Sequence, residues 1–331
     1  MSIKRLSTHI DMMSDKTSIK ASDIAQLREA AGSKVSSAER AMVDSFVREH
    51  SSALTKGATT TLASEFAIEL PPTIRLQAAA IEPLDVAEAS GVVRLNNGAF
   101  LVVDDAQGIF MRDQAGKTHL MLSSKDHKAL AGLEGICLSA DQRAIYVVSE
   151  DRSLVSTIPL AINGEHVKLG KPKPLGKLPA LGDVKNSGWE GIDVLPGRFS
   201  PDGQDKLVAV NEAYPRRIGI FSLPDLQTTA ILKLPAPFNQ QLTDLSDIAV
   251  DPRTGHLLIM SDESSCVVET KISVTHKSAP GALLENIELQ PIRKYDLSPS
   301  HKSKYEGLCL NQDGAMWAVS DGERKLFRFD L

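Results

Sequence analysis

Three cysteines in 331 residues are too few for a disulfide framework. They form no Cys-x-x-Cys pair. The chain also has no His-Glu-x-x-His, no complete Gly-x-x-x-x-Gly-Lys-Ser/Thr phosphate loop and no Gly-x-Ser-x-Gly. Several enzyme classes thereby lose their usual sequence support. An excess of basic residues is missing too. Lys and Arg total 37 against 42 Asp and Glu, a formal net charge of −5. That disfavours a general nucleic-acid or acidic-membrane binder. No run approaches the roughly 20 continuous apolar residues that cross a bilayer, so membrane insertion is not expected. Met1 to Lys20 carries no apolar core of signal-peptide length, and a cytoplasmic location is the expectation.

Hydrophobic residues make up 42% of the chain and charged residues 24%, as in folded globular proteins. Length alone predicts roughly two domains. The texture changes near residue 60. Before it, residues 17–56 read as helical. Ser22 can cap Asp23–Ala31, and Gly32 can stop that helix. Ser36 with Glu39 three residues later has the form of a capping box. Met42, Val43, Phe46 and Val47 then fall on one helical face. The joint between the helices lacks the acidic spacing of a calcium hand. Residues 1–64 are assigned to this small helical segment, and residues 65–331 to a second, all-β domain.

In the second region, short runs rich in Val, Ile and Leu alternate with Gly, Pro, Asn and Asp, the pattern of many short strands. Five segments repeat. Their shared position falls at Ser90, Glu134, Glu190, Ser246 and Glu306. Each unit has a strand, an Asp/Gly turn, a second strand ending at an acid or amide, and a third strand. Such a unit is a propeller blade. One blade cannot bury both faces of its sheet, whereas a closed ring can. The prediction is therefore a β-propeller of five blades, with six as the alternative. The fifth unit has only three strands. The stretch 65–76, with Phe66-Ala67-Ile68-Glu69-Leu70, is expected to supply its fourth. Cys137 and Cys309 occupy equivalent places and read as small buried hydrophobes.

Inner strands line a propeller's channel. Antiparallel pairing puts the start of each inner strand and the end of the second strand on one face. The repeat thus predicts two rings at one mouth. The inner ring is Ser90, Glu134, Glu190, Ser246 with Asp247, and Glu306. The companion ring holds Asp104, Asp105, Glu150, Asn211, Glu212, Asp262, Glu263 and Asp321. Two carboxylates about 4 Å apart repel by about 4 kcal/mol at an effective dielectric of about 20. Protonation, basic neighbours or a divalent cation can relieve this, and hard oxygen ligands suit Ca²⁺ or Mg²⁺. Basic residues lie in the loops entering the inner strands: Lys125, His127 and Lys128, then Lys185, then His301, Lys302 and Lys304. A plainer account also stands. The Glu-Gly carboxylates can bond backbone N–H groups of the next blade, and the companion acids can cap turns. His256 falls in a turn on the opposite face, where nothing is expected.

The series Ser90-Gly91, Glu134-Gly135-Ile136, Trp189-Glu190-Gly191-Ile192, Asp244-Leu245-Ser246-Asp247-Ile248 and Glu306-Gly307-Leu308 resembles the bacterial SdiA-regulated family, as does the ending Trp317 to Phe329. The resemblance covers about residues 65–331. The same blades are similar to esterase-like phytase and gluconolactonase-type propellers. The latter resemblance implies a divalent metal on the channel axis, and carries over to Glu134, Glu190 and Glu306. The sequence departs from that pattern with Ser-Asp in blade four and Ser-Gly in blade one.

These readings give three competing functions. The first is a hydrolase of small esters, lactones or phosphoesters, with Ca²⁺ held by Glu134, Glu190, Asp247 and Glu306 and with His127 or His301 as proton shuttle. Ser90, Asp104, Glu150, Asn211, Glu212, Asp262, Asp321 and Lys185 would then contact the small-molecule ligand. The second is the same funnel binding a metal or small ligand without turnover. The third is an interaction scaffold, with residues 17–56 engaging a protein partner or a second copy. Residues 1–64 carry net charge +2 and residues 65–331 carry −7. The acidic excess belongs to the repeat region and points to a cation or metal-bridged ligand.

Overall fold

The computed structural model describes residues 2–331 except 33, 51–52, 69, 182–187, 201, 213–214, 240, 275–286, 299–303 and 321. The chain divides into two compact units. One is Met1–Pro72 with Pro235–Gln241; the other is Thr73–Leu234 with Leu242–Leu331.

The first unit holds four long helices, α1 (Ser2–Met13), α2 (Ala21–Ala31), α3 (Ser37–Glu49) and α4 (Lys56–Phe66). The capping box forms as its residues dictate: Glu39 N–H donates to Ser36 Oγ at 3.3 Å, and Ser36 N–H donates to Glu39 Oε2 at 2.8 Å. Gly32 ends α2 at φ 85°, a conformation open to glycine without penalty. The start of α2 differs from expectation. Lys20, not Ser22, is its N-cap residue, because Asp23 reaches back to accept from the Lys20 N–H at 2.7 Å. Leu6, Ile24, Leu27, Val43, Phe46, Leu62 and Phe66 close into one apolar core. Among the described residues no helix is long and apolar enough to cross a membrane.

The second unit is a five-bladed propeller. Blade one runs Ala89–Arg94, Phe100–Asp104, Gly108–Arg112 and Thr118–Ser123. Blade two begins Leu133–Leu138, Ala144–Ser149 and Leu154–Asn163, with His166–Leu169 and Lys173–Lys177 both paired to that long third strand. Blade three is Trp189–Leu195, Lys206–Asn211, Arg217–Ser222 and Thr228–Leu232. Blade four is Asp247–Val250, Leu257–Ser261, Cys266–Val274 and Ile287–Asp296. Blade five is Tyr305–Leu310, Ala315–Ser320 and Lys325–Asp330.

A strand from the other end of the domain completes blade five, but it is Ala80–Pro83, in antiparallel register from Ala80 against Arg328 to Pro83 against Lys325. The stretch expected in that role does something else. Phe66 is the last residue of α4, Ala67 caps that helix at φ 52°, and Ile68 lies in the helical core. The apolar alternation of Phe66, Ile68 and Leu70 imitates a strand, whereas Phe66 pairs with Leu62 one turn earlier. A further strand, Thr73–Arg75, runs parallel to the end of Ile287–Asp296 and adds a fifth strand to blade four.

Apolar clusters fill the spaces between blades. Val92, Phe100 and Val102 of blade one pack with Cys309, Trp317 and Val319 of blade five; Cys137 and Val148 of blade two pack with Trp189, Ile192 and Phe221 of blade three. The ring therefore buries what single sheets would expose, at about 1.5–3 kcal/mol for each large side chain fully buried. All three cysteines are free and buried.

The glycine of the repeated motif has a steric cause. A Cβ on Gly135 would sit 2.5 Å from the Glu190 carbonyl oxygen of the next blade, and one on Gly91 would sit 2.7 Å from the Glu134 carbonyl oxygen. Neighbouring inner strands abut there. Blade four has Asp247 at the equivalent position. Its carboxylate accepts from Ile248 N–H at 2.8 Å and from Leu308 N–H of blade five at 2.6 Å. One buried acid thus fastens blade four to blade five.

Candidate functional site

The register of the inner strands slips by an extra residue at the motif in four blades. The slips fall between Ala89 and Gly91, Leu133 and Gly135, Trp189 and Ile192, and Tyr305 and Gly307. Ser90, Glu134, Glu190 and Glu306 are therefore bulge residues, and a bulge re-aims its side chain out of the ladder. In blade four the ladder begins one residue later, at Asp247 opposite Met260, and Ser246 N–H donates to the Met260 carbonyl at 3.0 Å.

These bulges gather half-buried carboxylates at one mouth. Burial raises the Glu134 carboxyl to about 8. The negative charges of Asp105, Glu150 and Glu306 add to that rise, and a hydrogen bond with Ser90 opposes it. Burial also holds Glu190 well above the usual carboxylate range, reinforced by Glu134, Glu150 and Glu212. Glu212 is raised by burial and then by Glu150, Asp262 and Glu263, while Lys304 works against the shift. Lys304 pairs with Asp262 at 3.4 Å, so one of the expected basic neighbours does reach the mouth.

Within this group, oxygens of Glu150, Glu190 and Glu212 lie within 4.8 Å of one another. Glu150 and Glu212 follow the second strands of blades two and three, and Glu190 starts the inner strand of blade three. The cluster sits where blades two and three meet rather than being spread over four blades. Of the four expected metal ligands, Glu190 is in it and Glu134 is adjacent. Asp247 is a correction: it is 3% exposed, and its oxygens are committed to the two backbone bonds that join blades four and five. Glu306 lies near enough to raise Glu134.

Several companion-ring residues hold turns. Asp104 accepts from Ala106 N–H, Gln107 N–H and Glu88 N–H at 3.2, 2.8 and 3.2 Å. Its proximity to Glu88 and Asp105 is thus the geometry of a capped turn. Asn211 donates through Nδ2 to the Gly188 carbonyl at 2.6 Å, and Glu150 Oε1 accepts from Gly188 N–H at 3.2 Å. Asp262 accepts from Glu263 N–H at 2.6 Å. Asp244, which no ring position marked, is buried beside Asp262 and bonds the Ser261 hydroxyl. Burial raises Asp244 to about 7, and its hydrogen bond with Asp262 contributes to the rise. Its only sequence signal was its place two residues before Ser246.

The proton-shuttle residues find no support. The His127 ring makes no hydrogen bond among the described residues, and His127 enters the structure as the residue before a short helical turn, Lys128–Leu130. His301, Lys185 and Asp321 lie outside the described residues. Across the propeller, His256 is not idle as expected: its Nδ1 lies 2.6 Å from Glu269, which also bonds Tyr295 and Arg293.

Residues 175–329 match the model of the SdiA-regulated family. The matched stretch spans blades three to five, and over it the resemblance read from Glu190-Gly191, Ser246-Asp247 and Glu306-Gly307 is borne out. No curated protein matches the chain. Among solved structures, the chain is similar to the PQQ-bound aldose sugar dehydrogenase of Streptomyces coelicolor at 15% identity and a TM-score of 0.46, covering 79% of this chain and 83% of that one. It is similar to a streptogramin B lyase at 14% identity and a TM-score of 0.44, covering 76% and 97%. Similarity to the periplasmic gluconolactonase of Pseudomonas aeruginosa has 14% identity and a TM-score of 0.37, covering 63% and 54%.

Proposed function

We propose that the acidic mouth binds a divalent cation on Glu150, Glu190 and Glu212, with Glu134 beside them, and that a small oxygen-rich ligand joins it there. The observation that carries this reading is the mutual approach of those three carboxylates to within 4.8 Å. Calcium holds oxygen ligands at about 2.3–2.6 Å, so ligands on opposite sides of one ion are about 5 Å apart. The spacing fits, and an all-oxygen set suits Ca²⁺ or Mg²⁺ rather than zinc. The raised Glu190 carboxyl supports the same reading, because a cation removes the repulsion that keeps it protonated.

Three protein ligands leave coordination positions open. A divalent cation with open positions polarises the oxygen of a carbonyl or phosphoryl group. The activity proposed for the site is hydrolysis of a small ester, lactone or phosphoester, with Ca²⁺ as the expected ion. In that role the chain's own residues hold the ion on one side of the funnel, and Lys304 sets the charge of the rim.

Calorimetric titration of Ca²⁺ into the full chain tests the binding step. Glu190→Gln is expected to weaken the affinity by at least about tenfold, close to 1.4 kcal/mol. An unchanged affinity would sink the metal reading. With the cation bound, a screen of esters, lactones and phosphoesters tests turnover. Silence across that screen removes the enzyme and leaves a binding propeller.

A further inference from the structure

The other end of the channel, where the inner strands finish, opens into a cavity of about 890 Å³. It extends between blades one and five to the ion pair of Arg112 with Glu82, at 2.8 Å. Arg94 stands in its wall. Counting four residues on from the shared position of the repeat gives Arg94, Leu138, Val194, Val250 and Leu310. Four blades fill this place with an aliphatic side chain, and blade one fills it with a cation.

Two aromatic rings and one amide hold that cation in place. The guanidinium lies 5.7 Å from the ring centres of both Phe100 and Trp317. Its Nε is buried and has no hydrogen-bond partner, and no carboxylate forms an ion pair with it among the described residues. With the Asn311 amide turned so that its oxygen faces its donors, it accepts from Trp317 Nε1 at 3.2 Å and from Arg94 Nη1. A part-buried guanidinium that makes no direct ion pair is under-compensated, and an anion seated against it supplies the missing contact. Asn96, Gln312 and Arg198 line the same space with further donors.

We propose that this cavity is a second ligand site, distinct from the acidic mouth, which takes a small organic monocarboxylate with its carboxylate on Arg94 and its polar body on the amides. The wall argues against a dianion. Asp193 and Asp313 face the same cavity. Asp313 is held below the usual carboxylate range first by the Ala315 backbone, with the Asn311 amide and the charges of Arg94 and Arg328 adding to the effect, and stays charged. A phosphate dianion meets more repulsion there than a carboxylate does, and the planar guanidinium matches a carboxylate in a two-bonded geometry.

The test uses the full chain and three probes, D-glycerate, L-lactate and inorganic phosphate, titrated calorimetrically into the wild type and Arg94→Leu. The leucine restores the residue type of the other blades, so the variant is expected to fold; circular dichroism and an unchanged Ca²⁺ titration check this. If the variant is nonetheless misfolded, Arg94→Gln replaces it. At least one carboxylate is expected to bind the wild type and to bind the variant about tenfold more weakly or not at all. Equal affinity in both proteins, or no binding of either carboxylate, overturns the proposal. Phosphate binding more tightly than both carboxylates overturns the monoanion assignment. Neither result bears on Ca²⁺ binding at the acidic mouth, so the two sites stand or fall separately.

Discussion

The two mouths of one channel are built from the same five strands and have opposite chemistry. Where the inner strands begin, register slips turn Glu134, Glu190 and Glu306 out of the ladder, and burial, reinforced by neighbouring carboxylates, favours the protonated forms of Glu134 and Glu190. Where the same strands end, the positions are aliphatic in four blades and arginine in one. The contrast teaches how a repeat acquires function. At the first mouth a repeated residue, Glu190, meets the acids that follow the second strands of blades two and three. At the second, a single departure from the repeat sets one cation, Arg94, against an aliphatic background.

The largest effect should come from disturbing the first mouth's scaffold. Gly135→Ala pushes a Cβ against the Glu190 carbonyl and should cost about 2–3 kcal/mol by urea unfolding, with Ca²⁺ affinity falling as Glu190 is displaced. Full retention of both would mean that the inner strands do not abut. A smaller effect follows from protonation. The folded-state values of Glu134, Glu190 and Glu212 are raised, so the stability they contribute is complete below the unfolded value near 4.5 and is lost as pH rises through the folded values, about 8 for Glu134. The metal-free protein should therefore be more stable at pH 5 than at pH 8, by about 1–3 kcal/mol, and Glu134→Gln should flatten that profile in thermal melts. A profile that rises with pH would contradict the crowding of carboxylates. Smallest is Asp247→Asn. It keeps one acceptor and loses the other, a cost of about 1 kcal/mol in chemical unfolding. Its Ca²⁺ affinity should not change, and a loss there would return Asp247 to the metal site.

The repeat made the architecture legible before any coordinates, because blade after blade sets Glu-Gly or Ser-Gly ahead of a Val/Ile/Leu run and an acid. The closing strand was not legible. Ala80–Pro83 is four residues long, and a better-patterned decoy, Phe66 to Leu70, lay a few residues earlier. At the site, Glu190 could be read from its repeat position, but its partners could not. Glu150 and Glu212 look like Asp104 and Asp262 in sequence, since each follows a second strand. Only geometry shows that Asp104 accepts from three backbone N–H groups whereas Glu150 accepts from one, Gly188, and lies beside Glu190 and Glu212. Asp247 shows the same limit from the other side: its place in the motif suggested a ligand, whereas its oxygens accept from the backbone of Ile248 and of Leu308. Arg94 was visible in the alignment of the repeats, yet strand pattern alone gave no reason to stop at one unlike residue.

The strap formed by Thr73–Arg75 on blade four and Ala80–Pro83 on blade five has a consequence for how the protein comes into being. Ala80–Pro83 leaves a ribosome before any of the inner strands, and its partner, Lys325–Asp330, only after all five of them. Until that meeting the ring is an open arc with two unsatisfied edges, exposed to any other chain still in the same state. The pairing also spans nearly the whole domain in sequence, which places the molecule among slow folders of high contact order. Once latched, the short clasp acts as a lock on the last blade: opening the ring requires peeling Ala80–Pro83 away, so the lifetime of the closed form rests on four residues far along the chain from the strand they hold.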